Sequence, residues 1–460
     1  MADAGKLDFL FNPRSIAVVG ATDSKGKLAS VIMASLDNAG FKGKIYPVNP
    51  KYDIVKGRRC FPDIKAIEEE VDLAVVAVSS ATAVEVIRGA TGLVKGAIVI
   101  GGGFSETGFN GALLEAELKE ISARSGIRIV GPNCMGIYDT ISGVDTFFIP
   151  SERAKRPGPG RVSVLSQSGS FALIAMEEFA LEGIGVARVV SYGNKADVDE
   201  ADCLDFLAED SSTGAVLLYV EGISDGRKFV RSATECAKKK PVIALKAGRY
   251  SAGGGAARSH TGAMAGRYEL YRAAFKKAGV IDISGYEEFI DAGRVFSRFD
   301  RALGKRVVII TDGGGIGVSM ADECAARGLI VAQLRDEKVE RLKKTFPGYF
   351  TVSNPLDLTG SATDEWYGDA LRETLEGDDF DIAIVAALWG PPALTDALPA
   401  ILAETAKKSG KPVIICSPGG EYARTRKRLF EESGLPVFST PEGAVRAAAA
   451  LSKSCGRHIA

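Results

Sequence analysis

Short runs of β-branched and aliphatic residues alternate along the chain with glycine-rich turns and longer stretches of helical periodicity. This alternation predicts α/β architecture built on parallel sheets. In the first third the runs are SIAVVG (15–20), KIYPVNP (44–50), LAVVAVS (73–79), GAIVIGGG (96–103) and IRIVGPN (127–133). Strands that alternate with helices require right-handed crossovers, so their carboxyl ends share one sheet edge, where doubly wound sheets bind ligands. RAKRPGPG (153–160) reads as a linker. A second series runs through RVSVLSQSGS, VARVVSYGN, GAVLLYVEG and PVIALKAGR, and closes with the helical segments ELYRAAFKKAG and YEEFIDAGRVFSRF. The charged stretch FDRALGKR (299–306) follows as a boundary, and RVVIITDGGGIG, FDIAIVAALWG, KPVIICSPGG and LPVFST repeat the pattern in the last third. The reading is three doubly wound domains in series, at 1–152, 153–300 and 301–460.

A length of 460 residues suits that count. The formal net charge of -1 gives no sequence-wide pull toward nucleic acid or an anionic membrane, so small ligands and protein partners are expected. The seven cysteines are scattered, odd in number and without a CxxC pair, which argues against a disulfide framework and a zinc site. No metal site is expected. MADAGKLDFLFNPRS lacks the basic start and apolar run of a signal peptide, and no apolar stretch approaches the ~18 residues of a membrane helix. A cytoplasmic location is the expectation.

The first glycine turn, GATDSKGK, has Gly20 and Gly26 but no GxGxxG, and the second strand ends in Asn49, Pro50 and Lys51 where an acid would meet a ribose hydroxyl. Simple NAD binding is disfavoured. A lysine there suits a phosphorylated nucleotide such as coenzyme A or NADP. The turn also fails as a nucleoside-triphosphate loop, since Leu28 stands where Ser or Thr would hold magnesium. VSSA (78–81), IGGGFSETG (100–108) and GPNCMG (131–136) end the remaining strands. Each alone serves as a turn, and together they line a crevice for a long, thin ligand.

In the second series, Ser166 to Ser170 stand between a strand and a helix. Backbone amides and the helix dipole make a phosphate cradle there, with Ser168 adding a hydroxyl; a plain serine N-cap accounts for the same residues. Glu221 follows the apolar run VLLYV at the same predicted edge. It is either a carboxylate that holds an imidazole in one tautomer or a solvated loop acid. His260 is one of only two histidines and lies in KAGRYSAGGGAARSHTGAMAG. So much glycine and alanine around one imidazole points to a carrier that accepts a phosphoryl group, or to a flexible surface loop with a solvated histidine. His458 sits close to the C-terminus and is assigned no role.

GATDSKG, VNPK, GGFSETG, GPNCMG, SQSGS, YVEG and SHTGAM resemble the α chain of the succinyl-CoA synthetase superfamily, and the last third and the form AARSHTGA are more similar to ADP-forming acetyl-CoA synthetases, the NDP-forming acyl-CoA synthetases. The resemblance implies a Rossmann-like CoA-binding domain followed by two flavodoxin-like domains. It also implies an acid–thiol ligase that turns acyl-CoA, phosphate and ADP into acid, CoA and ATP through an acyl phosphate and a phosphohistidine. By resemblance the phosphorylated residue is His260, oriented by Glu221. The phosphate cradle falls on Gln167, Ser168, Gly169 and Ser170, with Asn194 as an acyl or phosphate contact. Coenzyme A contacts fall on Gly20, Thr22, Asp23, Ser24, Lys25, Lys51, Val78, Ser79, Ser80, Ile100, Gly101, Gly102, Asn133, Cys134 and Met135. The succinyl enzymes usually carry proline at the place of Met135. ADP or ATP with Mg2+ is expected on a separate ATP-grasp β subunit, in an α2β2 assembly, because the sequence contains no such module. Gly313 to Gly315 in the last third are expected to be structural. Two other readings stay open: a CoA-binding regulatory protein without ligase activity, and an NADP-dependent reductase, which the missing GxGxxG disfavours.

Overall fold

The structure is a computed structural model that describes residues 7–250 and 267–454. His260 and His458 lie outside the described residues. The first sheet has strands β1 (Ser15–Val19), β2 (Lys44–Val48), β3 (Val71–Val76), β4 (Val94–Val99) and β5 (Arg128–Val130), all parallel, in the order β2-β1-β3-β4-β5. Every residue of β1 and β3 is buried, as expected for central strands of a parallel sheet covered on both faces. The order reverses between β1 and β3, and that reversal leaves a crevice at their carboxyl ends.

The chain then leaves the first sheet and helps build the second. Strands β6 (Gly136–Asp139) and β7 (Val144–Asp145) join β8 (Pro159–Ser166), β9 (Val186–Ser191), β10 (Ala215–Val220), β11 (Val242–Lys246) and β12 (Ile281–Ile283) in the order β12-β11-β10-β8-β9-β6-β7. β6 pairs antiparallel with β9, and β7 with β6, whereas the others run parallel. Arg188 on β9 fixes this junction from inside: its Nε lies 3.0 Å from Asp139 on β6, and Nη1 lies 2.9 Å from Asp210. Burial pushes the Asp139 carboxyl up, against the pull of the Arg188 charge. The first two sheets are therefore joined by a continuous chain segment, and Arg188 ties the end of that segment into the second sheet.

The last third forms a parallel sheet of β13 (Arg306–Thr311), β14 (Ile330–Val331), β15 (Leu356–Asp357), β16 (Ile382–Ala386), β17 (Val413–Cys416) and β18 (Val437–Phe438). Its order is β14-β13-β16-β17-β18, with β15 also paired to β13. The chain divides into two compact units, one reaching to Ser284 and one starting at Gly285. The helix Tyr286–Phe296, which the sequence pattern places at the close of the second series, packs on the helix Pro441–Ser452 of the later unit. Arg446 Nε on that helix donates to Asp291 at 2.7 Å, and Arg294 Nη1 donates to Val437 O at 2.8 Å. Six cysteines are described, all free and buried, and among the described residues no helix is long and apolar enough to cross a membrane.

Candidate active site

A cavity of about 890 Å³ opens at the carboxyl ends of β2, β1 and β3, the switch point of the first sheet. Gly20 turns out of β1 at φ +90°, and a Cβ there would lie 2.8 Å from Ala77 O, so the two strand ends approach closely only because this residue is glycine. Of the residues expected to hold a nucleotide, Gly20, Thr22, Ser24, Lys51, Val78 and Ser79 line the cavity. The Thr22 hydroxyl accepts the Ser24 amide at 3.2 Å and donates to the Tyr52 hydroxyl at 3.4 Å. Asn49 Nδ2 donates to Ala21 O at 2.8 Å while its Oδ1 accepts the Lys51 amide at 3.0 Å. These bonds join the β1 and β2 turns and hold Lys51 at the rim.

Lys27 and Lys65 also line the cavity and were not singled out from the sequence. Lys27 ends the glycine turn GATDSKGK, where it was readable; Lys65 belongs to a short turn with no motif around it. Three lysines and two carboxylates, Asp63 and Glu85, line the cavity, and Asp63 accepts the Ala66 amide at 2.9 Å as a cap. An anion of more than one charge matches this rim. Asp23, Lys25 and Ser80 do not line it: Asp23 accepts the Lys56 amide at 2.9 Å, Lys25 is exposed, and Ser80 opens the helix Ser80–Gly89.

From the cavity the turns after β4 and β5 continue the same edge. A Cβ on Gly101 would lie 2.7 Å from Val78 O, and one on Gly102 would lie 3.1 Å from Glu106 Oε1 and 3.4 Å from Asn133 Oδ1. Asn133, exposed and at φ +57°, donates its amide to Gly101 O at 3.0 Å. Ile100, Cys134 and Met135 are buried. The Cys134 thiol, pushed up to about 12 by burial, donates to Val99 O at 3.4 Å. Met135 packs where a Cβ on Gly169 would lie 2.9 Å from its Cγ. Side chains expected as coenzyme contacts at Cys134 and Met135 therefore stand in the wall behind the crevice, because the chain is crossing from one sheet to the next at this point.

On the second sheet the expected phosphate and imidazole partners meet. Ser168 caps the helix Gly169–Leu181, accepting the Phe171 amide at 3.3 Å, and lies 3.1 Å from Ser170 Oγ. The N-cap reading and the cradle reading describe the same hydroxyl. Gln167 Oε1 accepts the amides of Glu221 and Gly222 at 2.9 and 3.0 Å, so its carbonyl oxygen ties β8 to the turn after β10. Glu221 is 7% exposed, which removes the solvated-acid reading. Two lysines that sequence reasoning passed over support it. Lys195, at φ +62°, donates to Gly222 O at 2.5 Å and to Glu200 at 3.1 Å. Lys246, at the end of β11 and 2% exposed, stands over the Tyr271 ring at 4.6 Å. Burial pulls the Lys246 ammonium down, and the Glu221 carboxylate pulls it up. Both lysines sit beside quoted motifs, SYGNKAD and KAGR, but only the fold brings them to Glu221.

Asn194 joins the two sheet edges. Its Nδ2 lies 2.7 Å from Glu106, 3.0 Å from Glu115 and 3.2 Å from Ser105 Oγ, and its Oδ1 accepts from Asn133 Nδ2 at 3.3 Å. Burial pushes the Glu106 carboxyl up, but the Asn194 amide and the amides of Gly103 and Phe104 outweigh it and hold the group below its ordinary range.

Three family models match in series: a CoA binding domain over residues 14–140, a succinyl-CoA ligase like flavodoxin domain over 159–296 and a ligase-CoA domain over 307–448. The ADP-forming acetate–CoA ligase II alpha subunit of Pyrococcus furiosus is 39% identical over 451 residues, covering 97% of this chain and 97% of that one. ADP-forming acetate–CoA ligase I of Archaeoglobus fulgidus is 40% identical over 448 residues, 97% of this chain but 63% of its own length, so this chain spans less than two thirds of that relative. An acetyl-coenzyme A synthetase of Ca. Korarchaeum cryptofilum, solved in complex with phosphate and ADP, matches with a TM-score of 0.92 at 34% identity, over 99% of this chain and 97% of that one. With the strand order and the switch-point cavity as described, the chain belongs to the ADP-forming acetate–CoA ligase family.

Proposed function

We propose that this chain binds an acyl-CoA and phosphate, forms an acyl phosphate, and carries the phosphoryl group on His260 to ADP held by a separate ATP-grasp β subunit in an α2β2 assembly. The observation that carries the reading is the unbroken row of strand ends from the lysine-rimmed cavity, past Gly101 and Asn133, to Ser168 and Glu221. Such a row suits a ligand with a charged nucleotide at one end and a thioester at the other. The nucleotide phosphates would meet Lys27, Lys51 and Lys65, and the pantetheine arm would follow the glycine turns after β3, β4 and β5.

A phosphate at the Ser168 helix start would be held by backbone amides aligned with the helix dipole. Its oxygen attacks the thioester carbonyl, a C–O bond forms, the C–S bond breaks, and the thiolate leaves as CoA after taking a proton. An imidazole nitrogen of His260 then attacks phosphorus, an N–P bond forms, and the acid leaves as its carboxylate. Glu221 would accept from the other imidazole nitrogen and stabilise the positive charge that develops. Gln167 accepts the Glu221 and Gly222 amides and Lys195 donates to Gly222 O, which fixes the backbone of the Glu221 turn before the imidazole arrives. Transfer to ADP would return the imidazole and yield ATP.

Intact-protein mass spectrometry at neutral or alkaline pH, after incubation with acetyl phosphate and magnesium, tests the reading. An acid-labile phosphoryl group mapped to His260, absent from His260→Ala while CoA binding is kept, is the expected result. No phosphorylation, even with a β subunit and nucleotide added, would leave a CoA-binding regulatory protein as the better description.

A further inference from the structure

We propose that Asn194 is a positioning residue that, through Glu106 and Asn133, sets the separation between the thioester crevice and the phosphate cradle; this rests on the activity proposed above. The Asn194 side chain is expected from resemblance to touch acyl group or phosphate, but its bonding is taken up within the protein. The two hydrogens on Nδ2 meet three oxygens, those of Glu106, Glu115 and Ser105, at 2.7 to 3.2 Å. Ionised carboxylates only accept, so the nitrogen must face them and Oδ1 must face the Asn133 amide.

The partners of Asn194 come from two strand ends, Ser105, Glu106 and Glu115 following β4 and Asn133 following β5. Glu106 gathers the amides of Gly103 and Phe104 at 2.6 and 3.1 Å, which shapes the turn after β4. Buried Glu115 accepts the Ser105 amide at 3.3 Å and pairs with Lys119 at 3.0 Å. Asn133 lies on the turn after β5, and the Asn194 amide donates to Pro132 O at 2.9 Å. On the other side, the Tyr192 amide donates to Ser166 O at 3.0 Å, just before the Ser168 cap. A bonded path thus runs from Gly103 through Asn194 to the cradle. A Cβ on Gly193 would lie 2.3 Å from Pro132 O, so the path has no slack at this point.

Asn194→Asp would set a third carboxylate against Glu106 and Glu115 and push the β4 turn away. A shift of about 1 Å between reacting groups costs on the order of 10²-fold in rate. The test is acyl-hydroxamate formation by the full chain from acetyl-CoA, inorganic phosphate and hydroxylamine. Asn194→Asp should lower kcat about 10²-fold with a much smaller rise in KM for acetyl-CoA, since the β4 turn would meet only the pantetheine arm and the nucleotide cavity is not touched. Combining it with Glu106→Gln restores one donor and one acceptor in exchanged places while Glu115 still faces a carboxylate, and should recover part of the rate. If Asn194→Asp matches the parent, or if the folded double variant recovers nothing, or if KM rises in step with the loss of kcat, the positioning role is wrong. If Asn194→Asp does not fold, the double variant alone decides by the same criteria. A parent chain that forms no hydroxamate at all overturns the proposed activity and this role with it.

Discussion

Gly20→Ala measures how far the switch point depends on close approach of two strand ends. Two terms act on this substitution. An alanine at φ +90° is strained, at about 1–3 kcal/mol, partly offset by about 0.4–1 kcal/mol from the less flexible unfolded chain. The new methyl would also lie 2.8 Å from Ala77 O and 3.0 Å from Val78 Cγ1. A backbone oxygen cannot swing aside, so the β3 turn must shift, an overpacking cost of about 1–3 kcal/mol. Gly26→Ala isolates the first term, because Gly26 has φ +80° with nothing within 4 Å of its added Cβ. Denaturant unfolding of both variants should give Gly20→Ala the larger loss by about 1–3 kcal/mol. Val78 lines the cavity, so calorimetry should also show CoA binding to Gly20→Ala weakened by about five-fold or more. Equal losses at the two glycines would refute the argument, since they differ in contact and hardly in φ.

The lysine rim predicts that Lys27→Ala, Lys51→Ala and Lys65→Ala each weaken CoA by up to about tenfold, and that the variant which loses the contact to the 3′-phosphate binds CoA and dephospho-CoA alike; calorimetry with both ligands checks it, and unchanged preference in all three would remove the rim from recognition. Glu106 has its carboxyl held below the ordinary range in the folded chain, so its stabilising contribution is present above the unfolded-state pKa and lost as pH falls through the folded one. Glu106→Gln should therefore be less stable than the parent at neutral pH, with the gap closing in acid; a gap independent of pH would show that the charge is not what Asn194 and the amides hold.

The strand-turn-helix rhythm was legible because burying both faces of a parallel strand demands a continuous apolar run, and leaving the strand demands glycine or a small polar residue. LAVVAVS illustrates the limit: the strand is Val71–Val76, and the run's last residues, Ala77 to Ser79, form the turn that walls the cavity. Hydrophobicity marks what is buried, and the cavity wall is partly buried too. Ser168 was legible as a helix start, and the structure makes it the N-cap of the helix Gly169–Leu181. Lys65, Lys195, Lys246 and Glu106 were not legible as neighbours of the candidate site, because a charge on a turn or at a strand end reads as solvated until distant parts of the chain are placed beside it.

By itself the sequence determined the architecture, the sheet edge at which the ligand turns lie, and the chemistry on those turns, since all of these follow from local periodicity and residue type. Strand order belongs to the tertiary structure. GIYD (136–139) leaves the first sheet and runs antiparallel to β9, where Arg188 meets Asp139 across 49 residues of sequence separation, 188 minus 139. The crossing buries Cys134 and Met135 and brings Asn133 to Asn194. Which helix closes which unit was likewise decided by packing, with Asp291 and Arg446 meeting at 2.7 Å. Pairing between distant segments is set by the complementarity of both partners, and neither segment alone encodes it.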